Sequence, residues 1–199
     1  MLTIPAFLAL AMQCAATIHP DTAQDIARVE SGFHPYAIGV VGQKNGLFPR
    51  HKEDALAHVK RLRAEGKNFS VGLMQINQAN FSRYGVDAAA LLEPCTNLSV
   101  FEKIITDCYL RGKTLKRALS CYYSGNFVAG QNKEAVFGAT SYIERVGYPA
   151  VPRHVVPSTQ QDKAVSQKAV ALSPESTIKP RIVYPSQVVR GEFVLIKGE

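Results

Sequence analysis

Three amphipathic runs in this chain each stop at a glycine, and that spacing confines the fold to short helices. "HPDTAQDIARVESG" ends at Gly32, "EDALAHVKRLRAEG" at Gly66 and "CTNLSVFEKIITDCYLRG" at Gly112. Glycine after the last periodic residue supplies the left-handed turn that closes a helix. The starts are marked as well. Asp21, with Gln24 three residues on, is a capping-box-like start, Thr96 caps the third run, and Thr114 opens a further helix in "KTLKRALSCYYSG". The third run and this one form a helical hairpin. "GATSYIERVG" is a last short helix, and the glycines, Asn45 and Pro49 between positions 39 and 53 indicate a loop. The fold class is mainly α.

The first of these runs carries an anomaly. Counting back from Glu30, the positions three, four and seven residues earlier are Ala27, Ile26 and Ala23, so a helical period sets a carboxylate on the apolar stripe. Desolvation and the negative end of the helix dipole both disfavour its charge, so its pKa should rise. A carboxylic acid protonated near neutral pH can protonate a glycosidic oxygen. A solvent-facing, ion-paired glutamate at a frayed helix end is the ordinary alternative, and three further stretches decide against it. "FSVGLMQIN" offers Gly72, where a backbone can approach closely, and Gln75, a neutral donor and acceptor suited to sugar hydroxyl or acetamido groups. "SCYYSGN" presents Tyr122 and Tyr123 as flat faces with hydroxyls, followed by Ser124 and Asn126, and "TSYIERVG" adds Tyr142.

In this order the four stretches resemble the soluble lytic transglycosylase family of the lysozyme-like α+β superfamily. "ESGFHP" matches its first motif with Glu30 and Ser31, with His34 where asparagine is usual. Gly72, Leu73, Met74, Gln75 and Ile76 match its second in full. "CYYSG" matches the third in part, with Tyr122 and Gly125 in place, Cys121 for alanine and Tyr123 for asparagine. "YIERV" matches the fourth from Tyr142 to Val146. "PYAIGVV", "CYYSGN", "LALAMQCA" and "PCTNL" look most like the members encoded with type IV secretion and conjugation systems. Many members carry a serine nine residues after the glutamate, where this chain has Gly39, and the segment from 43 to 68 is longer than usual.

The resemblance implies a single compact helical catalytic domain with a substrate groove over residues 1–149, working in the periplasm without cofactor or metal. Glu30 would be catalytic. Ser31, Gly72, Leu73, Met74, Gln75, Tyr122, Tyr123, Ser124, Asn126 and Tyr142 would bind substrate, the glycan strands of peptidoglycan. The implied reaction cleaves the bond between N-acetylmuramic acid and N-acetylglucosamine and leaves a 1,6-anhydromuramoyl end, locally opening the wall for a secretion apparatus. Most glycosidases use two carboxylates, and no second acid stands out in the motifs. A lysozyme-type hydrolase and a non-catalytic wall-binding scaffold are the competing readings. The scaffold would not need an acid at position 30.

Composition adds limits. At 199 residues with 46% hydrophobic content the chain can build one core, and its net charge of +7 suits an acidic partner, including the anionic wall polymer. The most basic segment, "HVKRLRAEGK", reads as the solvated face of a helix, so nucleic acid is not expected. "MLTIPAFLALAMQCAA" is short of the roughly 20 apolar residues of a membrane span and lacks a basic leader region, so it reads as a buried first helix with Thr3 as cap and no evident export signal. Four cysteines allow three pairings, and both two disulfides and buried thiols fit. If paired, Cys108 joins Cys121 and Cys14 joins Cys95. Residues 150–199 are rich in Pro, Ser, Gln and Lys and read as a flexible, disordered tail, with a candidate partner-binding strand near 181–197 through which other secretion components would dock.

Overall fold

The computed structural model describes residues 1–43 and 45–148. The expectations for the tail and its strand fall on 150–199, outside the described residues. Helix α1 (Ile4–Cys14) is capped by the Thr3 hydroxyl, which accepts from the Ala6 N–H, and it buries Phe7, Ala11 and Cys14. Helix α2 (Pro20–Glu30) hides Ala23, Ile26 and Ala27 completely, as the apolar stripe requires. It begins one residue before Asp21, because Pro20 has its backbone angle preset for a first turn, and His19 Nδ1 takes the capping bond from the Asp21 N–H at 3.3 Å.

The segment expected to be only loop contributes to a small sheet. Strand β1 (Ile38–Val40) pairs antiparallel with β2 (Phe69–Val71), and β2 with β3 (Ile76–Asn77); Ile38 faces Val71 and Ser70 faces Asn77. Strands of two or three residues are too short to show an alternating pattern in sequence. Helix α3 (Lys52–Ala64) follows β1 and turns Ala55, Val59 and Leu62 inward, while Leu56 is only half-buried.

After the short helices α4 (Phe81–Tyr84) and α5 (Ala88–Leu91) comes the longest, α6 (Pro94–Gly112), which starts at Pro94 and not at Thr96. Helices α1, α5 and α7 (Leu115–Ser124) and strand β3 all pack on α6, whose Leu98, Phe101 and Ile105 form the middle of the core. The left-handed turn after α6 is taken by Lys113. A Cβ at Gly112 would lie 3.0 Å from Arg117 Cβ and 3.1 Å from the Phe127 ring, so close packing favours glycine there. Thr114 caps α7 through the Arg117 N–H, as expected.

The last helix, α8 (Tyr142–Val146), starts from a full capping box between Ser141 and Glu144. Arg28 of α2 donates to the Arg145 carbonyl at the end of α8 at 3.0 Å, and α8 also packs on α7. Cys14 is bonded to Cys95, tying α1 to α6, and Cys108 to Cys121, tying α6 to α7. Cross-links spanning 81 and 13 residues restrict the unfolded chain, the longer loop more strongly. Among the described residues, no helix is long and apolar enough to cross a membrane.

Candidate active site

Helices α2, α7 and α8 converge on Glu30, the last residue of α2. Its carboxyl is sunk among packed side chains, although the residue keeps part of its surface open to a groove. Burial lifts its pKa from the usual 4.5 to about 7, against the Tyr142 hydroxyl and the Arg145 charge, which both favour the carboxylate. The Tyr142 hydroxyl donates to Glu30 Oε1 at 2.5 Å across 112 positions of sequence. Burial and the nearby Glu30 push the phenols of Tyr142 and Tyr122 well above their ordinary value, so both remain donors at any working pH.

The tyrosines are held in turn. Tyr122 donates to the Met74 carbonyl and meets Phe101 edge-on. Tyr123 stacks on Tyr142 with ring centres 4.4 Å apart and planes at 12°. Its hydroxyl donates to Glu134 Oε1 at 2.7 Å, and Glu134 also binds Arg145 at 2.8 Å. Burial, helped by Glu134, raises the Tyr123 phenol to about 12. Arg145 lies over the rings of Tyr123, Phe137 and Tyr142, so one cation braces the aromatic wall.

The second motif places its residues in two ways. Leu73 and Met74 are fully buried and serve as packing. Gly72 has φ +82°, and a Cβ there would come within 2.1 Å of Asn97 Nδ2, so backbone angle and space both exclude a side chain. Asn97 is buried in α6 and holds the motif's backbone. Its Oδ1 accepts from the Met74 N–H at 2.8 Å, and its Nδ2 donates to the carbonyls of Val71 (3.0 Å) and Leu91 (2.8 Å). Gln75 adopts φ +49° and turns outward, donating from Nε2 to the Ala37 and Gly72 carbonyls at 3.0 and 2.9 Å. Its Oε1 lies over Gly39, where a Cβ would stand only 2.6 Å away. The absent side chain at position 39 is therefore what gives the Gln75 amide its place.

Glu30, Gln75, Tyr122, Tyr123, Ser124 and Tyr142 line the same groove. Ser31 is buried, with its hydroxyl turned back to the Ala27 carbonyl at 3.4 Å. Asn126 caps the turn after α7 by accepting from the Val128 and Ala129 N–H groups. Ser31, Gly72, Leu73, Met74 and Asn126 lie outside the groove lining and support the residues that form it. His34 stands in for the usual asparagine by the same bond an asparagine would make. Its Nδ1 accepts from the Tyr36 N–H at 3.2 Å, and its ring packs edge-on against Phe48.

Sequence reading passed over Asn97, Arg145 and Glu134. Asn97 lies in "PCTNL", and a polar residue on the buried face of α6 was the available signal. Nothing local marks Glu134. The groove holds about 2180 Å³, above the range of pockets built for small ligands. Such a volume has room for a section of polymer. Asp107 and Glu144 also line it, but Asp107 is paired with Arg111, and Glu144 accepts from the Ser141 N–H and hydroxyl in the cap of α8. Among the described residues, no group of three His, Cys, Asp or Glu side chains is placed to hold a metal.

The transglycosylase SLT domain matches residues 7–142. The chain is similar to the type IV secretion system protein virB1 of Brucella abortus biovar 1 (strain 9-941), with 42% identity over 149 residues, covering 70% of this chain and 62% of the relative. It is also similar to the protein virB1 of Agrobacterium fabrum (strain C58), with 32% identity over 174 residues, covering 84% of this chain and 68% of the relative. The match thus spans less than two thirds of the length of the Brucella protein. No solved structure matches the chain significantly.

Proposed function

The chain belongs to the transglycosylase SLT domain family, and we propose that it is a peptidoglycan lytic transglycosylase that works in the periplasm with Glu30 as its single acid and base. The observation that carries this reading is the Glu30 carboxyl in the groove, with its pKa raised to about 7 and the Tyr142 hydroxyl on one oxygen. At neutral pH such a group exists in both protonation states, which suits an acid that must next act as a base.

In the reaction, protonated Glu30 gives its proton to the glycosidic oxygen as the bond to the anomeric carbon of N-acetylmuramic acid breaks. The sugar's own acetamido oxygen shares the charge developing on that carbon. The Glu30 carboxylate, steadied by Tyr142, then takes the proton of the 6-hydroxyl as that oxygen closes on the anomeric carbon. Glu30 ends protonated, the leaving strand keeps a hydroxyl, and no water is consumed. Among the described residues of the groove, the other two carboxylates are engaged elsewhere, so a second acid to activate water is not provided. The Gln75 amide and the Tyr122, Tyr123 and Tyr142 wall support the sugar, and the support for those roles is their common place in the groove.

The name of the Brucella relative, a type IV secretion system protein, supports a finer reading, that cleavage opens the wall locally for such an apparatus. In that reading residues 150–199 are a separate segment that contacts other components. Mass spectrometry of the fragments released from purified peptidoglycan tests the reaction. The expected ends are 1,6-anhydromuramoyl, lighter by one water than hydrolysed ends and inert to borohydride. A digest dominated by reducible ends makes the protein a hydrolase, and release of nothing makes it a scaffold.

A further inference from the structure

The groove is also lined by Ile104, Asp107, Cys108 and Arg111 of α6, which share one face at helical spacing, and by Arg83 and Tyr84 of α4. These side chains take no part in the proton transfers described above. Asp107 Oδ2 accepts from Arg111 Nε at 3.0 Å and Nη2 at 2.7 Å, and it lies 3.5 Å from Arg83 Nη2.

Asp107 and Arg111 alone would be an ordinary solvated pair four residues apart on a helix surface. The second guanidinium changes this, because it comes from a different element and converges on the same oxygen at the groove wall. One carboxylate faces two arginines, so the cluster keeps one positive charge unbalanced. The arginine side chains are 60% and 51% exposed, leaving N–H donors directed at solvent. Both guanidiniums are also braced before any ligand arrives. Arg83 lies over the Tyr84 ring at 5.5 Å and Arg111 over Phe127 at 5.4 Å, with Arg111 Nη2 3.5 Å from Cys121 Sγ. Planar donors held in place lose little freedom on binding, and their fork geometry matches a carboxylate.

A glycan strand in the groove offers this wall few charges of its own. Its muramic acid units carry stem peptides, and those peptides end in carboxylates. We propose that Arg83 and Arg111 form a subsite for a stem-peptide carboxylate, with Asp107 orienting the two forks, so that the protein prefers glycan bearing peptides over bare glycan. The inference rests on the peptidoglycan reading above.

The test is equilibrium binding to the full chain carrying Glu30→Gln, which keeps the strands intact during measurement. Three probes are compared: soluble glycan strands with stems, the same strands stripped by an amidase with the lactyl carboxylates so exposed converted to amides, and stem-bearing strands whose carboxylates have been converted to amides. The stem-bearing strand is expected to bind about fivefold more tightly than either of the others, the scale of charge-assisted contacts at an exposed site. That advantage should vanish on adding Arg83→Gln, shrink on adding Arg111→Gln, and persist in part with Arg83→Lys. Equal binding of all three probes to the parent, or a preference that survives Arg83→Gln, overturns the subsite and leaves the peptidoglycan reading standing. If none of the three probes binds, the peptidoglycan reading itself fails. Stripped strands report the state of the groove in each variant, so a variant that no longer folds is recognised by losing them too.

Discussion

Replacing Glu30 by glutamine should remove catalysis and stabilise the protein, but only where the carboxylate is charged. Folding raises the Glu30 pKa from 4.5 to about 7, so the native state holds this proton more tightly than the unfolded chain. A group shifted in this direction contributes its full stability below about pH 4.5, and the contribution is lost as pH rises to about 7. A shift of this size corresponds to about 3 kcal/mol at about 1.36 kcal/mol per pH unit. Because Glu30 keeps part of its surface open to the groove, solvent trims the figure to about 2 kcal/mol. Glutamine is neutral throughout and can still accept from the Tyr142 hydroxyl. At pH 4 the two proteins should therefore melt together. At pH 8 the variant should melt higher by about 4–8 °C, at about 2–4 °C per kcal/mol for a domain of this size. Differential scanning calorimetry at the two pH values reads this directly, with wall-cleaving activity, expected to fall at least about a hundredfold, measured on the same samples. An equal melting difference at both pH values, or none at pH 8, would show that Glu30 is not desolvated and would remove the basis for its role as an acid.

Asn97→Ala orphans one N–H and two carbonyls around the second motif, and urea unfolding should show a loss of about 3–5 kcal/mol; a loss under about 1 kcal/mol would mean the motif holds itself. Tyr142→Phe removes a hydroxyl that favours the Glu30 carboxylate, so the Glu30 pKa should rise further and the alkaline limb of the pH–rate profile should move to higher pH, whereas a limb that stays or moves down contradicts the hydrogen bond. Gly39→Ser places a Cβ 2.6 Å from Gln75 Oε1 and must displace the amide. The expected result is KM raised about fivefold, with Gln75→Ala adding nothing on that background, since coupled neighbours are not additive; fully additive effects would separate the two residues.

How far the sequence reaches is clearest at Glu30. The stripe of Ala23, Ile26 and Ala27 was enough to place this carboxylate on a buried face, because a helix repeats its environment every three to four residues and the pattern is local. Several helix ends followed for the same reason, each depending on one or two residues such as Thr3 or Thr114, while Pro20 and Pro94 moved two starts slightly and the turn after α6 fell to Lys113 and not to Gly112. Whether the four cysteines pair at all was open in the sequence, and the packing of α1, α6 and α7 brings together the pairs expected there, Cys14 with Cys95 and Cys108 with Cys121.

Other features had no local signature. Strands of two or three residues show no period, so the sheet exists only because β1, β2 and β3 find each other. Nothing near Leu73 or Met74 says that they face the core while Gln75, the next residue, turns into the groove. That is decided by Asn97, which lies 22 residues beyond Gln75 and holds the motif's backbone from behind. The Glu30 to Tyr142 bond joins residues 112 apart, and Arg83 meets Asp107 only through the packing of separate helices. Sequence determined which chemistry each short segment could offer, since propensity and periodicity act over a few residues. Which groups share the groove was decided by the tertiary structure, because burial, distance and charge balance depend on everything that packs around them.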